Sequence, residues 1–573
     1  MVAPARATRP MSLRSKTPIA RSIPTSRAEQ SRSKTRLLAL LLAATSIAAV
    51  ALLFPVYFRT DDTRHLEWAA THPDPLAAFE PGEAGLSATF RPLPLLVWWS
   101  IFRCFGLNPL PYHLALLFTL ALALIVYFEC LARILSARAA AFGVVALAVC
   151  FSYLAQVGFW FSNLALALEL LCIHLALYWI LTKSSRGSAA LGVLAALGAM
   201  LSKEPAVLLL PAVAMTHLWS RWPAWSTATR RRGTWTCATL TVLALLWTVV
   251  HPHFWNRTQV FGHSADRLGF LWERWSFYAS QLLSGPGILL ALLIVYQSWR
   301  CWFESGTGRG KRSFVALLAC SGAAIVLARF PELALLVLML ACAAIFWSRR
   351  SESFSAVWFA LPVIALLTVE LYVRSYLAEA AFGAAALAGV ALDRVATLVP
   401  LRSSQLRRPV VRLITIAALI AMAVAAVPRI KQRLETLRVV SAARQNLEAV
   451  VDYIDTHLRS PGTQLFVIDC EDMGLSHVED ILPLPDRLKA QRQKTMTSDD
   501  LGRLLRLVRP NVEVHNLGAI RIEGNGAPTY LLVMSRFEHD FVEGLALPLR
   551  LQFSEQHSGE SVWLYAISSA DET

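Results

Sequence analysis

The chain has 573 residues, 55 % of them hydrophobic and only 16 % charged, whereas soluble domains run nearer a quarter charged. That excludes an ordinary soluble protein and points to a polytopic α-helical membrane protein with one soluble part. The net charge of +15 does not signify nucleic-acid binding. The arginines collect at the ends of apolar segments and in the N-terminal tail, and no basic helix or aromatic sheet signature accompanies them.

Residues 1–36 are rich in Arg, Ser, Thr and Pro and read as a disordered cytoplasmic tail. The apolar run from Leu37 to Phe58 is about twenty residues, long enough to cross a bilayer, and no small-residue cleavage site follows it. It is expected to stay as the first span. A charged loop follows, with Asp61, Asp62, His65, Glu67, His72, Asp74, Glu80 and Glu83. The segment 92–105, with Trp98 and Trp99, is short for a span and is expected to lie flat at the membrane interface.

Further spans are expected over 112–135, 139–157, 160–182, 187–201, a sixth ending at Trp219, 234–250, 276–297, 313–327, 333–347, two between Phe354 and Leu392, and 411–427. The total is about thirteen. Proline and a charged pair at Ser202-Lys203-Glu204-Pro205 make a sharp turn between the fifth and sixth. With the N-terminus in the cytoplasm, the arginine clusters at 133–138, 183–186, 221–232, 300–312, 349–350 and 394–412 fall on the inner side. Lys203, Arg329, Arg374 and the acidic loop fall on the outer side.

Residues 37–428 are therefore expected to form the membrane domain, with 58–111 as its first outer loop and interfacial helix. Residues 442–573 change character. Amphipathic helices over LEAVVDYIDTHL and DDLGRLLRLV, and short strands over TQLFVID, VEVHNL, IRIE, TYLLVM, LRLQF and VWLYAI, predict a small soluble α/β domain. An odd number of spans puts it outside, although the basic run Arg429, Lys431, Arg433, Arg438 argues the other way.

The nine cysteines show no CxxC spacing, so neither a zinc site nor a disulfide framework is indicated. Glu169, inside a span, reads equally as a functional group or as a side chain bonded to a neighbouring helix. His113 and His174 fit helix packing better than ligation. Asp61-Asp62 at the head of the outer loop is the most informative pair. A carboxylate at a membrane-edge cavity can accept a proton from an attacking hydroxyl, and adjacent like charges raise the pKa of one member.

Asp61-Asp62, Phe90-Arg91-Pro92-Leu93, Phe105-Gly-Leu-Asn-Pro109 with Tyr112-His113, and the Ser202-Lys203-Glu204 turn together resemble the GT-C glycosyltransferase superfamily. The similarity is to its protein O-mannosyltransferase and aminoarabinose-transferase branches, over roughly residues 37–395. It implies transfer of a sugar from a polyprenyl-phosphate donor to a protein, lipid or glycan acceptor on the outer face of the inner (plasma) membrane. Asp61 or Asp62 takes the place of the family's first-loop aspartate, as base or acceptor-orienting group. Lys203 and Arg374 match the cations that hold the lipid phosphate, and Arg91, His65, Glu204 and His113 are the further candidate substrate-binding residues.

Many relatives carry an acid in the second outer loop, where this chain has Gln156-Val-Gly-Phe-Trp160-Phe-Ser-Asn163. That puts a divalent metal in doubt, and no other cofactor is implied. The alternative function is a transporter or flippase for a lipid-linked saccharide, but the chain lacks the repeat symmetry common in transporters. Vesicle flux without covalent product would mark that alternative.

Overall fold

The computed structural model describes residues 58, 60–80, 90–150, 161–182, 185–222, 225–250, 267–283, 287–303, 330–348, 352–367, 377–398, 424, 427, 431, 445–460, 462–467, 498–508, 512–516, 528–534, 549–557 and 560–567. Apart from Phe58, Val424 and Val427, the expected first, ninth and thirteenth spans lie outside them, as do Arg374 and the strand expected over IRIE.

The charged segment after Phe58 is a helix where a loop was expected: α1, Thr60–Thr71. Asp62, Leu66 and Ala69 recur at helical spacing on one face and are all buried, while carboxylates in the first turn suit the positive end of the helix dipole. A short 3-10 turn, Pro75–Phe79, follows, opened by the Asp74 side chain accepting from the Leu76 N–H.

Next comes α2, Pro92–Phe105, which packs on α1 and buries Leu95 and Trp98. Trp99 Nε1 and an Arg103 guanidinium nitrogen both donate to the His72 carbonyl, at 2.9 and 3.0 Å. These bonds tie the end of α1 to α2. The chain leaves α2 through Gly106 at φ 56°, a left-handed conformation that glycine adopts without a Cβ penalty.

The helical body continues with α3 (Pro109–Ile134), α4 (Ala137–Cys150), α5 (Leu164–Thr182), α6 (Arg186–Met200), α7 (Pro205–Arg221), α8 (Thr227–Val250), α9 (Arg267–Leu283), α10 (Gly287–Phe303), α11 (Pro331–Trp347), α12 (Ser353–Leu366) and α13 (Ala378–Leu398). Among the described residues, Pro109–Ile134 and Phe161–Thr182 are long and apolar enough to cross a bilayer, and five shorter apolar helices accompany them. The single span expected over 276–297 is instead divided between α9 and α10, which end and begin at Leu283 and Gly287.

Helix α13 packs against α4, α10 and α12. Its alanines and glycines let backbones meet: a Cβ at Gly389 would stand 2.2 Å from the Ala139 carbonyl oxygen, and one at Gly383 2.4 Å from the Phe359 amide nitrogen. Small residues at helix contacts serve this close approach inside membranes. Tyr127 of α3 adds an interhelical bond, its hydroxyl donating to the Phe382 carbonyl at 2.7 Å. A second half, α3, α5, α6 and α7, packs around α5.

The C-terminal part has a helix over 445–457, α14, and α15, Ser498–Val508. Its strands are β1 (Gln464–Val467), β2 (Glu513–Asn516), β3 (Thr529–Met534), β4 (Leu549–His557) and β5 (Glu560–Ile567). They form one mixed sheet in the order β2-β1-β3-β5-β4. β1 pairs in parallel with β2 and β3, while β5 runs antiparallel to β3 and β4. Helix α15 lies against α1, so the soluble part sits at the same end of the bundle as the charged helix.

Candidate active site

The site is built at the end of the bundle where α1, α2, the start of α5 and the 201–204 turn meet. Asp62 is fully buried in the first turn of α1. Its Oδ1 accepts from the Ser162 N–H at 2.7 Å and from the Ser162 hydroxyl at 2.5 Å. Ser162 sits in the 3-10 turn Phe161–Asn163 that leads into α5. The turn before α5 thus supplies two neutral donors to the carboxylate at the head of α1. Two charge-assisted bonds to one oxygen fix the carboxylate's orientation. Asp61 precedes it in the same turn.

An aromatic cluster includes Phe161, the neighbour of Ser162. Phe58 meets Tyr112 edge-on at 5.2 Å and Phe161 at 5.4 Å, and Trp98 lies 4.8 Å from Tyr112. The Tyr112 hydroxyl donates to the Gly106 carbonyl at 2.8 Å. Two of the candidate residues join the cluster. His65 has its ring 5.1 Å from Trp98, and buried His113 has its ring 6.0 Å from Phe161.

The other candidates gather on the Ser202–Pro205 turn. Arg91 makes a bidentate pair with Glu204: Nε to Oε1 at 3.1 Å and a terminal nitrogen to Oε2 at 2.8 Å. Nearby, the Leu93 N–H donates to the Leu201 carbonyl at 3.2 Å. The Phe-Arg-Pro-Leu and Ser-Lys-Glu segments, more than a hundred residues apart, are therefore bound to one another.

Lys203 points into the bundle and meets Glu379 of α13, with Nζ 3.4 Å from Oε1; the two side chains are 5 % and 1 % exposed. Glu169 of α5 stands beside both and accepts from the Ala206 N–H, at the start of α7, at 2.9 Å. A lysine expected to face a lipid phosphate at the membrane edge is in fact buried and ion-paired. Taking a cation out of water costs several kcal/mol unless a counter-charge meets it, and Glu379 does so. Arg374, four residues before the start of α13 on the sequence, is outside the described residues.

The two halves of the site are linked by α5. Ser162 and Glu169 are seven residues apart, which is about 10 Å of helix rise. The Asp62 carboxylate and the Lys203–Glu379 pair therefore contact the same end of α5, within about one helix diameter along its axis.

Sequence reasoning passed over Ser162, Glu379 and Arg503. Arg503 of α15 reaches Glu67 of α1, Nε to Oε2 at 3.2 Å, and so holds the soluble part against the helix that carries Asp62. No signal in α15 points to α1. For Glu379, its place as an acid inside an alanine-rich apolar segment was the available hint.

Among the described residues, no group of three or more His, Cys, Asp or Glu lies together as a metal-binding set. The partner that the 161–163 turn gives Asp62 is a hydroxyl and an amide rather than a second carboxylate.

No protein-family model matches the chain, and no curated protein matches it by sequence. Its course is similar to that of solved membrane enzymes. ArnT from Cupriavidus metallidurans bound to undecaprenyl phosphate aligns with a TM-score of 0.43 and 16 % identity, covering 93 % of this chain and 98 % of that one. The apo state of the same enzyme gives 0.44 and 16 %, covering 94 % and 98 %. The Archaeoglobus fulgidus oligosaccharyltransferase, in complex with Zn and sulfate, gives 0.45 and 12 %, covering 87 % of this chain and 68 % of that one.

Proposed function

We propose that this protein transfers a sugar from a polyprenyl-phosphate donor to an acceptor at the outer membrane face. Asp62 acts on the acceptor, and Lys203 and Arg374 act on the phosphate. The observation that carries the reading is the buried Asp62, oriented by Ser162 at the same end of α5 that meets the Lys203–Glu379 pair. The residues of α5 that meet the carboxylate and the ion pair are about 10 Å apart along its axis, a separation on the scale of one sugar ring and its phosphate.

The chemistry follows from the charges. The acceptor's nucleophilic atom, hydrogen-bonded to Asp62, attacks the anomeric carbon. The bond from that carbon to the phosphate oxygen breaks, and its electron pair leaves with the phosphate. The acceptor's proton passes to the aspartate. The bonds from Ser162 aim the Asp62 carboxylate, and the transition state is one in which the leaving group departs early and the proton moves late. Single attack on the anomeric carbon inverts it.

Charge growing on the phosphate is stabilised most by a cation held where water is scarce. Lys203 meets that requirement, with Glu379 as its counter-charge until the donor arrives. Arg91 braces the Lys203 turn through Glu204, and the aromatic cluster with His65 and His113 borders the sugar. Asp61 shares the first turn of α1 and supplies a second carboxylate. No step passes through a metal. Oriented membranes or proteoliposomes carrying a labelled polyprenyl-linked sugar test the reading. The wild type should form covalent product, and Asp62→Asn should not. Unchanged transfer by the double variant Asp61→Asn/Asp62→Asn would overturn it.

A further inference from the structure

Helix α6 runs from Arg186 to the turn that holds Lys203, so its first residues mark the end of the bundle remote from the site, about 22 Å away by helix rise. There, α6 and α8 leave a groove of about 510 Å³ between them. Leu194, Leu197, Trp235 and Leu243 form its apolar wall, and Arg186 and Arg232 stand at its head.

A second, smaller cavity of about 170 Å³ adjoins it, lined by Thr182, Ser185, His217, Trp225, Thr229 and Arg232 among others. Ala189, Arg232 and Thr236 line both spaces. His217 is 3 % exposed, and its Nδ1 has no hydrogen-bond partner among the described residues. A buried polar nitrogen left without a partner costs free energy, which a ligand in the cavity would recover. Among the described residues, neither space has an aspartate or glutamate in its lining.

An apolar groove alone would be served by any lipid tail, and a pair of arginines alone by any anion. Their combination selects one ligand class. From Arg186 to Leu197 the groove follows α6 for about 17 Å, enough to lay an acyl chain along it. Arginine at its head, with threonine and serine hydroxyls and a buried histidine in the adjoining cavity, recognises a phosphate that carries such a chain. We infer that these two spaces together form a binding site for an anionic phospholipid, with its phosphate between Arg186 and Arg232 and an acyl chain against Leu194 and Leu197. The site is separate from the proposed sugar transfer and does not depend on it.

Native mass spectrometry of the detergent-purified full chain, titrated in parallel with phosphatidylglycerol and phosphatidylcholine, tests this. The wild type should retain phosphatidylglycerol about tenfold more tightly, as expected from two arginines near a lipid headgroup. Arg186→Gln/Arg232→Gln should lose that preference, and Arg231→Gln, one residue away and outside both linings, should keep it. Leu194→Trp, which fills the groove and leaves both arginines in place, should weaken retention of phosphatidylglycerol and serves if the double variant does not purify. Equal retention of the two lipids by the wild type overturns the inference. So does an unchanged preference in the arginine variant, unchanged retention in Leu194→Trp, or displacement of the lipid by inorganic phosphate alone.

Discussion

Two buried charges meet the same end of α5, and they are neutralised in opposite ways. Asp62 accepts from the amide and hydroxyl of Ser162, neutral donors that stabilise its negative charge and fix its direction. Lys203 is held by Glu379, a counter-charge that cancels it. On the proposed reading, the first arrangement keeps a carboxylate available for proton transfer. The second keeps a cation inside an apolar bundle until another anion competes for it. Neutral hydrogen bonds therefore mark the group expected to do chemistry, and the ion pair marks the group expected to exchange partners.

Breaking the first arrangement should have the largest effect. Asp62→Asn keeps an oxygen for Ser162 to donate to but removes the base. Transfer should fall about a thousandfold, near 4 kcal/mol of barrier, with expression and thermal stability unchanged. Ser162→Ala should cost less, about tenfold, because it removes one of the two donors and leaves the backbone N–H. Initial rates from a labelled lipid-linked donor check both.

Breaking the second should cost fold before function. Lys203→Met leaves Glu379 buried without its counter-charge and should destabilise the protein by about 3–5 kcal/mol. Lys203→Met/Glu379→Leu removes both charges and should recover most of that loss without recovering transfer. Thermal unfolding in detergent, run beside the activity assay, separates the two outcomes. A double variant as unstable as the single one would mean that the pair is not what stabilises the turn.

Smaller effects belong to the pairs nearer water. Arg91→Gln should cost about 1 kcal/mol, since its two bonds to Glu204 are charge-assisted but partly solvated. Arg503→Glu should cost under about 1 kcal/mol, and exchanging the charges with Glu67→Arg should restore it; limited proteolysis at the junction of the soluble part reads this out. At the bottom of the scale is Glu448 on α14. Burial, and then the like charge of Asp452, raise its carboxyl pKa above the ordinary 4.5. A raised carboxyl pKa means that stability is lost as pH rises through the folded-state value. Glu448→Gln should therefore raise the unfolding temperature slightly at pH 7, by an amount reduced by partial solvent exposure, and the gain should vanish below about pH 4.

Much of the architecture is visible in hydropathy, because a segment that enters a bilayer must satisfy its own backbone and bury apolar side chains. The helices from Pro109 to Arg221 begin and end near the expected limits. The soluble part shows strands over five of the six segments where they were expected, the sixth lying outside the described residues. The charged segment after Phe58 was misjudged for a local reason. Its charged residues are as many as its apolar ones, so the stripe of Asp62, Leu66 and Ala69 is easily missed, and an acid heads that stripe. The break between α9 and α10 was likewise hidden, because both halves are apolar and only the short Ser284-Gly285-Pro286 stretch separates them.

Sequence alone determined that this chain is mainly apolar helices with a small mixed α/β part, and that Asp61-Asp62 and Ser202-Lys203-Glu204 are segments of interest. It does so because helix and strand periods, caps and turn prolines are local properties of consecutive residues. Only the tertiary structure decided the partners: Ser162 for Asp62, Glu379 for Lys203, Glu204 for Arg91 and Glu67 for Arg503. Each pair joins residues at least a hundred positions apart, and what a buried charge does depends on which atoms the fold brings within about 3 Å of it.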